Sequence, residues 1–388
     1  METIKVGIIG TGFSANFHIE SLRRIPGVEI VAIAGSTQEK ANCVANIYGI
    51  PLAYGSYEEM LSNPLIEVIH NCTPNFLHFD INKSAILAGK DLMSEKPLAM
   101  NSSESAELVA LVEKNEIING ICFNYRHFPM VMQAKQMVQD TICGQVHLVT
   151  GGYLQDWLLY DTDYSWRLEP GKSGPSRAIA DIGSHWCDTL QFVLGKQIIE
   201  VFADLKTIHP TRKKPITSST TYAKDEDSEY EVIDVSTEDC GSVLVHFEDG
   251  ITGVFTVSQV SAGRKNKLHF EISAYESSLY WDQENSNRLW EGKRNRPNIE
   301  ILRDPSLLLP QAAELAHFPG GHQEGWPDGF KNLLIDFYNE VKRKRRQQHI
   351  QGNPLFASIA DGHQIMKIID AVLESHRTKT WVKIDNFD

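Results

Sequence analysis

Residues 10–15 read Gly-Thr-Gly-Phe-Ser-Ala, between an apolar, β-branched run at 4–9 and a stretch of helical spacing at 16–25. This context constrains the chain more than any other feature. A strand that enters a G-x-G-x-x-A turn and continues directly as a helix is the opening of a βαβ unit in a parallel sheet. Gly10 permits the tight turn, Gly12 lets the main chain approach a pyrophosphate, and Ala15 allows close helix–strand packing. The start of the following helix aims its unpaired amides at phosphate. Gly10, Thr11, Gly12, Phe13, Ser14 and Ala15 are therefore candidate dinucleotide-binding residues. A glycine-rich turn without a ligand is the other reading of the same spacing.

The alternation continues. Strand-like runs at 28–34, 68–72, 91–94 and 117–123 are separated by helical stretches at 38–48, 76–88 and 102–115. Strands alternating with helices imply parallel βαβ units with right-handed crossovers. The expected fold is α/β, with an N-terminal Rossmann dinucleotide-binding domain over residues 1–124. From about residue 125 the texture changes. A helix is predicted over 130–140, followed by alternating runs at 146–157, 198–206, 241–247, 251–260, 267–274 and 278–281. Alternation broken by Asp-Gly and other glycine turns marks antiparallel strands. Residues 125–388 are expected to form an α+β domain on one large open antiparallel sheet. The polar stretch 209–238 reads as a surface loop within it, and 330–346 and 355–376 read as helices.

Charge and cysteine content narrow the function. Among 388 residues, 37 Lys plus Arg against 50 Asp plus Glu leave a formal charge of −13. Such a chain is a poor general ligand for nucleic acid or an anionic membrane. The basic run Lys342 to Arg346 reads as the C-terminal end of a helix, where cations meet the negative end of the dipole. No apolar run approaches membrane-spanning length, and the start lacks the order of a signal peptide. Six cysteines without a C-x-x-C pair read as free thiols, so a cytoplasmic location is expected.

The end of the second strand bears on the cofactor. An Asp or Glu there binds the ribose 2′-hydroxyl of NAD. This chain has Ala34-Gly35-Ser36-Thr37 instead. Without the carboxylate nothing repels a 2′-phosphate, and Ser36, Thr37 and Lys40 are placed to bind one. NAD and NADP both remain open.

Two further stretches carry chemistry. Glu95-Lys96-Pro97 follows the strand at 91–94, and Asp181 and His185 stand four apart in a stretch of helical spacing that runs on to Leu194. On a regular helix that pair shares a face. A carboxylate beside an imidazole orients it and favours its protonated form. A lysine ammonium can hold a substrate oxygen as it gains charge. Those groups suit proton movement coupled to hydride transfer, although an i,i+4 Asp/His pair also serves as a surface or capping contact. Asp181, His185 and Asp188 offer ligand types for a metal, but no HExxH or cysteine cluster accompanies them and no metal is expected.

The chain resembles the Gfo/Idh/MocA family of glucose–fructose oxidoreductase, inositol dehydrogenase and their relatives. The resemblance spans nearly the whole chain. It rests on Gly10-x-Gly12-x-x-Ala15, Cys72-Thr73-Pro74-Asn75 with His78, Glu95-Lys96-Pro97, Asn124-Tyr125-Arg126 and Asp181-x-x-x-His185, in that order. It implies a Rossmann domain followed by a domain whose open sheet face makes a homodimer or homotetramer contact. It implies that Lys96 is the essential lysine, His185 the acid/base and Asp181 its partner, with a cis bond before Pro97. It adds Thr73, Pro74, Asn75, His78 and Glu95 to the cofactor-binding set. Tyr153-Leu154-Gln155-Asp156-Trp157 with Trp166-Arg167 is most similar to sugar dehydrogenases of the levoglucosan dehydrogenase kind. Tyr153, Gln155 and Trp157 project to one face of a strand, offering an aromatic and amide floor for a pyranose. Tyr125, Arg126, Gln155, Trp157, Trp166 and His322 are the substrate candidates; packing within the sheet, an internal salt bridge and a plain surface loop are the other readings of these positions. His322 and Trp326 belong to a glycine-rich loop that is expected to close over substrate.

The activity expected is hydride transfer between NAD or NADP and a secondary alcohol of a sugar, anhydrosugar or cyclic polyol. A glycoside-cleaving enzyme with tightly held NAD and a non-enzymatic nucleotide-sensing regulator are the alternatives. The joint presence of Lys96, Asp181 and His185 argues against the regulator.

Overall fold

A computed structural model describes residues 3–216, 229–348 and 354–387. The chain forms two compact units. One joins Met1–His127 to Trp326–Met366, and the other joins Phe128–Gly325 to Lys367–Asp388.

The first unit is built on a parallel sheet of β1 (Ile4–Ile9), β2 (Val28–Ala34), β3 (Leu52–Tyr54), β4 (Val68–Asn71), β5 (Asp91–Ser94) and β6 (Asn119–Ile121). Its strand order is β3-β2-β1-β4-β5-β6, so the order reverses at β1, between β2 and β4. The connecting helices include α1 (Phe13–Leu22), α2 (Gln38–Tyr48), α3 (Tyr57–Leu61), α4 (His78–Leu87) and α5 (Ser102–Val112). Helix α1 starts directly after Gly12, three residues earlier than the periodicity suggests. Ala15, Ile19 and Leu22, at i, i+4 and i+7, are buried together against the sheet. Helix α2 is capped by the Thr37 side chain, which accepts from the Lys40 N–H, and it ends at Gly49 in the left-handed region.

A helix from the far end of the chain completes this unit. In Trp326–Arg345, the residues Phe330, Leu333, Leu334, Phe337, Tyr338 and Val341 enter the same core as β1, β4 and α1. Their spacing is one helical stripe, and removing a ring such as Phe337 would cost about 3–5 kcal/mol. Residues 326–348 and 354–366, which a boundary at 124/125 places in the second domain, thus belong to the first unit.

The second unit carries β7 (Val146–Leu154), β8 (Ile198–Lys206), β9 (Thr211–Pro215), β10 (Tyr230–Asp234), β11 (Cys240–Phe247), β12 (Thr252–Ser258), β13 (Lys267–Ala274), β14 (Ser278–Asp282), β15 (Arg288–Gly292), β16 (Ile299–Leu302) and β17 (Val382–Lys383). Nine of them form a sheet in the order β16-β15-β14-β13-β7-β12-β11-β8-β17. The expected antiparallel pairing holds at every neighbour but one: β7 and β12 run parallel. The carboxyl ends of these two central strands therefore lie side by side, which matters for the site below. Alternate residues such as Val243, Val245, Phe255, Val257 and Phe270 point into the core, where the helix Ser184–Leu194 stacks Trp186 on Phe255 at 4.6 Å. Within the polar stretch 209–238, β9 and β10 form an antiparallel hairpin in place of the expected loop; residues 217–228 lie outside the described part. Among the described residues, no helix is long and apolar enough to cross a membrane.

Candidate active site

In the first unit, the candidate residues lie at the carboxyl ends of β1, β2, β4 and β5. Gly10 has φ +115°, and a Cβ there would stand 2.6 Å from the Cys72 carbonyl oxygen, so only glycine fits. Gly12 is different: its φ is −92°, and an added Cβ would meet nothing within 4 Å. Open space therefore adjoins the first turn of α1. That turn has no side-chain cap and no acidic residue. Uncapped amides beside open space suit the pyrophosphate of a dinucleotide. Thr11 and Ser14 are half-buried at this turn and Phe13 is exposed. At the end of β2, Ser36, Thr37 and Lys40 are exposed, with Lys40 Nζ 3.2 Å from Ser36 Oγ.

The loops after β4 and β5 are tied to each other. Thr73 donates its hydroxyl to Asn71 Oδ1 at 2.7 Å, and Asn75 opens a short 3₁₀ turn after Pro74. His78 is wholly buried, with Nδ1 2.6 Å from the Pro97 carbonyl and Nε2 2.8 Å from the Thr73 carbonyl. A neutral imidazole donates to only one of these at a time, and burial holds the His78 pKa below its usual value. The ring thus braces the Thr73 loop against the Lys96 loop, a different service from the direct cofactor contact expected of it. The Lys96–Pro97 peptide is cis. Glu95 is buried, accepting from the Lys96 main-chain N–H through Oε2 at 3.2 Å and facing His18 Nε2 through Oε1 at 3.2 Å.

That contact opens a buried polar chain absent from the sequence reading. His18 Nδ1 lies 2.7 Å from His70 Nδ1, and His70 Nε2 lies 2.8 Å from the Tyr338 hydroxyl. His18, Glu95 and Cys122 bring one ligand-type atom each to within 4.8 Å of one another. Both nitrogens of His18 already have hydrogen-bond partners, and burial raises the Cys72 and Cys122 thiols well above their usual range. The trio reads as a satisfied core network. Tyr125 and Arg126, expected to meet substrate, are buried, and Arg126 pairs with Asp361 of the same unit at 3.4 Å.

The second unit carries a set of its own. Asp181 and His185 are not carried on one regular helix: Asp181 lies in a π turn and His185 in the α-helix that follows it. Residues Ile179–Gly183 form a π turn that runs into the helix Ser184–Leu194. A π turn holds an extra residue, so the simple rule that i and i+4 share a face fails here. Asp181 Oδ2 accepts from Gln259 Nε2 at 2.8 Å, and Oδ1 lies 3.5 Å from Arg167 Nε. The Arg167 guanidinium covers the Trp166 ring at 4.6 Å. The His185 ring is 6.1 Å from that of Tyr153. The Tyr153 hydroxyl donates to Asn266 Oδ1, Gln155 Nε2 donates to the same oxygen at 3.0 Å, and Trp157 Nε1 donates to Gln155 Oε1 at 2.9 Å. One strip therefore runs from the imidazole over a phenol ring to two amides and an indole. Gln155 follows β7, and Gln259 follows the parallel neighbour β12. His322 lies apart, exposed, its carbonyl held by Arg303; Trp326 starts the long helix and packs on Phe17 and Phe330.

Sequence reasoning missed Gln259 and Asn266, which arrive from strand ends 78 and 111 residues away from their partners. A signal exists for Gln259: it is a polar residue at a buried position just past an apolar alternating run.

Comparison with known proteins follows the same division. Residues 4–122 match the model of an oxidoreductase family with an NAD-binding Rossmann fold, and residues 131–280 match the GFO/IDH/MocA C-terminal domain. Levoglucosan dehydrogenase from Pseudarthrobacter phenanthrenivorans is 26% identical over 405 residues, covering 99% of each chain. A structure of levoglucosan dehydrogenase in complex with NADH and L-sorbose superposes with a TM-score of 0.87 at 26% identity, again covering 99% of each chain. D-xylose 1-dehydrogenase (NADP(+)) 2 from Haloferax volcanii is 31% identical over 194 residues, 49% of this chain and 57% of the relative.

Proposed function

The chain belongs to the Gfo/Idh/MocA family of oxidoreductases, and from that premise we propose that it transfers hydride between NAD(P) and a secondary alcohol of a sugar, anhydrosugar or cyclic polyol. The observation that carries this reading is the strip in the second unit, where His185 stands beside the Tyr153 ring and the Tyr153 hydroxyl shares Asn266 Oδ1 with the Gln155 amide. An aromatic ring and amides are what a sugar's C–H patches and hydroxyls call for, and the imidazole supplies a proton acceptor in the same place.

Gly10–Ala15 would hold the pyrophosphate of the cofactor, and Pro74 and Asn75 would hold its nicotinamide ribose. When bound, the nicotinamide supplies the hydride acceptor. His185 takes the hydroxyl proton of the substrate, and Asp181 orients the imidazole. Lys96 holds the oxygen as it becomes alkoxide-like. Gln155, Trp157 and Trp166 bind the sugar. Ser36 and Lys40, with Ser36 standing where an NAD-preferring site carries an acid, support use of NADP as well as NAD. The open face of the large sheet makes the contact in a homodimer or homotetramer. Six free cysteines support a cytoplasmic location.

The test is absorbance at the reduced nicotinamide band, with NAD and NADP, over levoglucosan, D-xylose, D-glucose, L-sorbose and myo-inositol. Turnover of at least one of these is expected. Lys96→Ala and His185→Ala should each lower it by about 100-fold or more. Near-wild-type turnover in both variants overturns the assignment. Release of sugar from a glycoside without net NADH would make the enzyme glycoside-cleaving instead.

A further inference from the structure

We propose that Gln259 is the positioning residue that aims the Asp181 carboxylate, and that Arg177 decides which way the Gln259 amide faces; this rests on the reading of Asp181 as the partner of His185. Gln259 is wholly buried. Its Oε1 accepts from Arg177 Nη1 at 2.9 Å, and its Nε2 donates to Asp181 Oδ2 at 2.8 Å. The two ends of an amide are not interchangeable. A guanidinium only donates and a carboxylate only accepts. With Arg177 on one side, the amide oxygen must face it and the NH2 must face Asp181. The flipped amide would set donor against donor and acceptor against acceptor.

Arg177 cannot swing away from this task. Its Nη2 pairs with Asp239 Oδ1, and its Nε lies 3.2 Å from Thr237 Oγ1. Arg212 Nη2 meets the same Asp239 oxygen at 2.6 Å, while Asp239 Oδ2 takes the N–H groups of Ile208 at 2.6 Å and His209 at 3.0 Å. Glu238 Oε1 accepts the main-chain N–H groups of Arg177 and Ile179, both at 2.9 Å. Arg177 and Arg212 are thus balanced by Asp239 and Glu238, all four buried. A buried ionic cluster stabilises little beyond an apolar core of the same shape. Its product here is direction: a rigid guanidinium behind Gln259. The main chain of Gln259 is fixed too, its N–H on the Asp239 carbonyl at 3.0 Å and its carbonyl accepting from Leu158 N–H at 3.1 Å. The main chain of Asp181 is held by Arg177 as well, its N–H donating to the Arg177 carbonyl at 2.8 Å, so one residue fixes both the backbone of Asp181 and, through Gln259, its carboxylate.

The experiment compares full-length wild type, Gln259→Glu, Gln259→Met, Asp181→Asn and the double variant Asp181→Asn/Gln259→Glu. Each is assayed with whichever panel alcohol is oxidised fastest, and melting temperature and NADH affinity serve as fold controls. Gln259→Glu keeps the shape and the bond to Arg177 but turns an acceptor toward Asp181. It should lower kcat between about 10- and 100-fold, the scale of a sub-ångström to ångström misplacement, with KM and NADH affinity within about threefold of wild type. Gln259→Met, which loses the donor without adding charge, should follow in the same direction. In the Asp181→Asn background the Gln259→Glu change should cost little further. Wild-type kcat in both Gln259 variants, with Asp181→Asn impaired, overturns the anchor and leaves the mechanism standing. Fully additive losses also overturn it. Wild-type kcat in Asp181→Asn overturns the mechanism and the anchor together.

Discussion

His18 and His70 face each other through their Nδ1 atoms at 2.7 Å in the interior of the first unit. Only one of the two can carry the proton in that bond. With His18 donating from Nε2 to Glu95, a neutral His18 must accept at Nδ1. His70 then donates there and accepts from the Tyr338 hydroxyl at Nε2. The choice of tautomer beside Lys96 is thereby linked to a tyrosine on the helix Trp326–Arg345.

This chain makes the protein acid-labile. His70 is held well below its usual pKa, first by burial and then by His18, and His78 is lowered by burial despite its two carbonyl neighbours. Both are neutral in the fold but protonated in the unfolded chain below about pH 6.5. The unfolded state therefore binds more protons, and stability present above about pH 6.5 falls as pH drops below it. Glu95 acts further down. Burial raises its pKa, but the hydrogen bond from His18 and the charge of Lys96 leave it lowered, so its contribution is present above the usual carboxylate range and is lost as pH falls through its folded value. Urea unfolding should give a stability that is flat from pH 7 to 8. Below about pH 6.5 it should fall by up to about 1.4 kcal/mol per pH unit for each histidine. His70→Gln should remove one share of that slope. An unchanged slope in the variant counts against the assignment.

The two glycines of the first turn should separate stability from binding. Gly10→Ala puts a Cβ against the Cys72 carbonyl in a left-handed conformation, at a cost of about 1–3 kcal/mol or more. Its melting temperature should fall. Gly12→Ala has an ordinary φ and open space around its methyl, so the melting temperature should stay near wild type. The methyl would occupy space that a pyrophosphate needs, and NADH affinity measured by fluorescence should drop by about tenfold or more, which is 1.4 kcal/mol or more of lost contact. Equal NADH affinity in Gly12→Ala and wild type would remove the phosphate cradle from α1.

The first unit was legible because its signals are local. Strand, turn and helix follow one another within residues 4–22, and the apolar runs of β1, β2 and β5 set their own bounds. The second unit was legible only in outline. The stretch over Asp181 and His185 reads as a regular helix, because no residue type announces a π turn. The polar sequence of β9, Thr-Arg-Lys-Lys-Pro, gives no strand signal, and it pairs with β10 around an Arg212 that is buried by its bonds to Asp239 and main-chain carbonyls. Gln259 and Asn266 become site residues only once β7 lies between β12 and β13. The tail helix looked like part of the second domain because it follows that domain in sequence, but its apolar stripe matches the first unit's core.

Cofactor choice should respond to the end of β2. Ser36→Asp places a carboxylate where a ribose 2′-hydroxyl is bound and a 2′-phosphate is repelled. Lys40, 3.2 Å from Ser36, is the cation available to a phosphate there. The ratio of kcat/KM for NAD to that for NADP should rise by about tenfold or more in Ser36→Asp, the effect of a close charge pair worth 1.4 kcal/mol or more. Lys40→Ala should reduce NADP use more than NAD use. A ratio unmoved by both substitutions would place the specificity elsewhere.

Asn266 should govern sugar affinity without touching cofactor or proton transfer. Its Oδ1 collects the Tyr153 hydroxyl and the Gln155 amide, so it sets the direction of both groups beside His185. Asn266→Leu leaves the strip without that acceptor. Gln155 then loses one of its two partners, while its bond from Trp157 Nε1 remains. Losing hydrogen bonds that orient a polar subsite costs about 1–3 kcal/mol, or about 5- to 150-fold. This loss should fall mainly on KM for the sugar, with kcat reduced less and NADH affinity unchanged. A loss confined to kcat would mean that Asn266 acts through His185, and the strip would then belong to proton transfer rather than to substrate recognition.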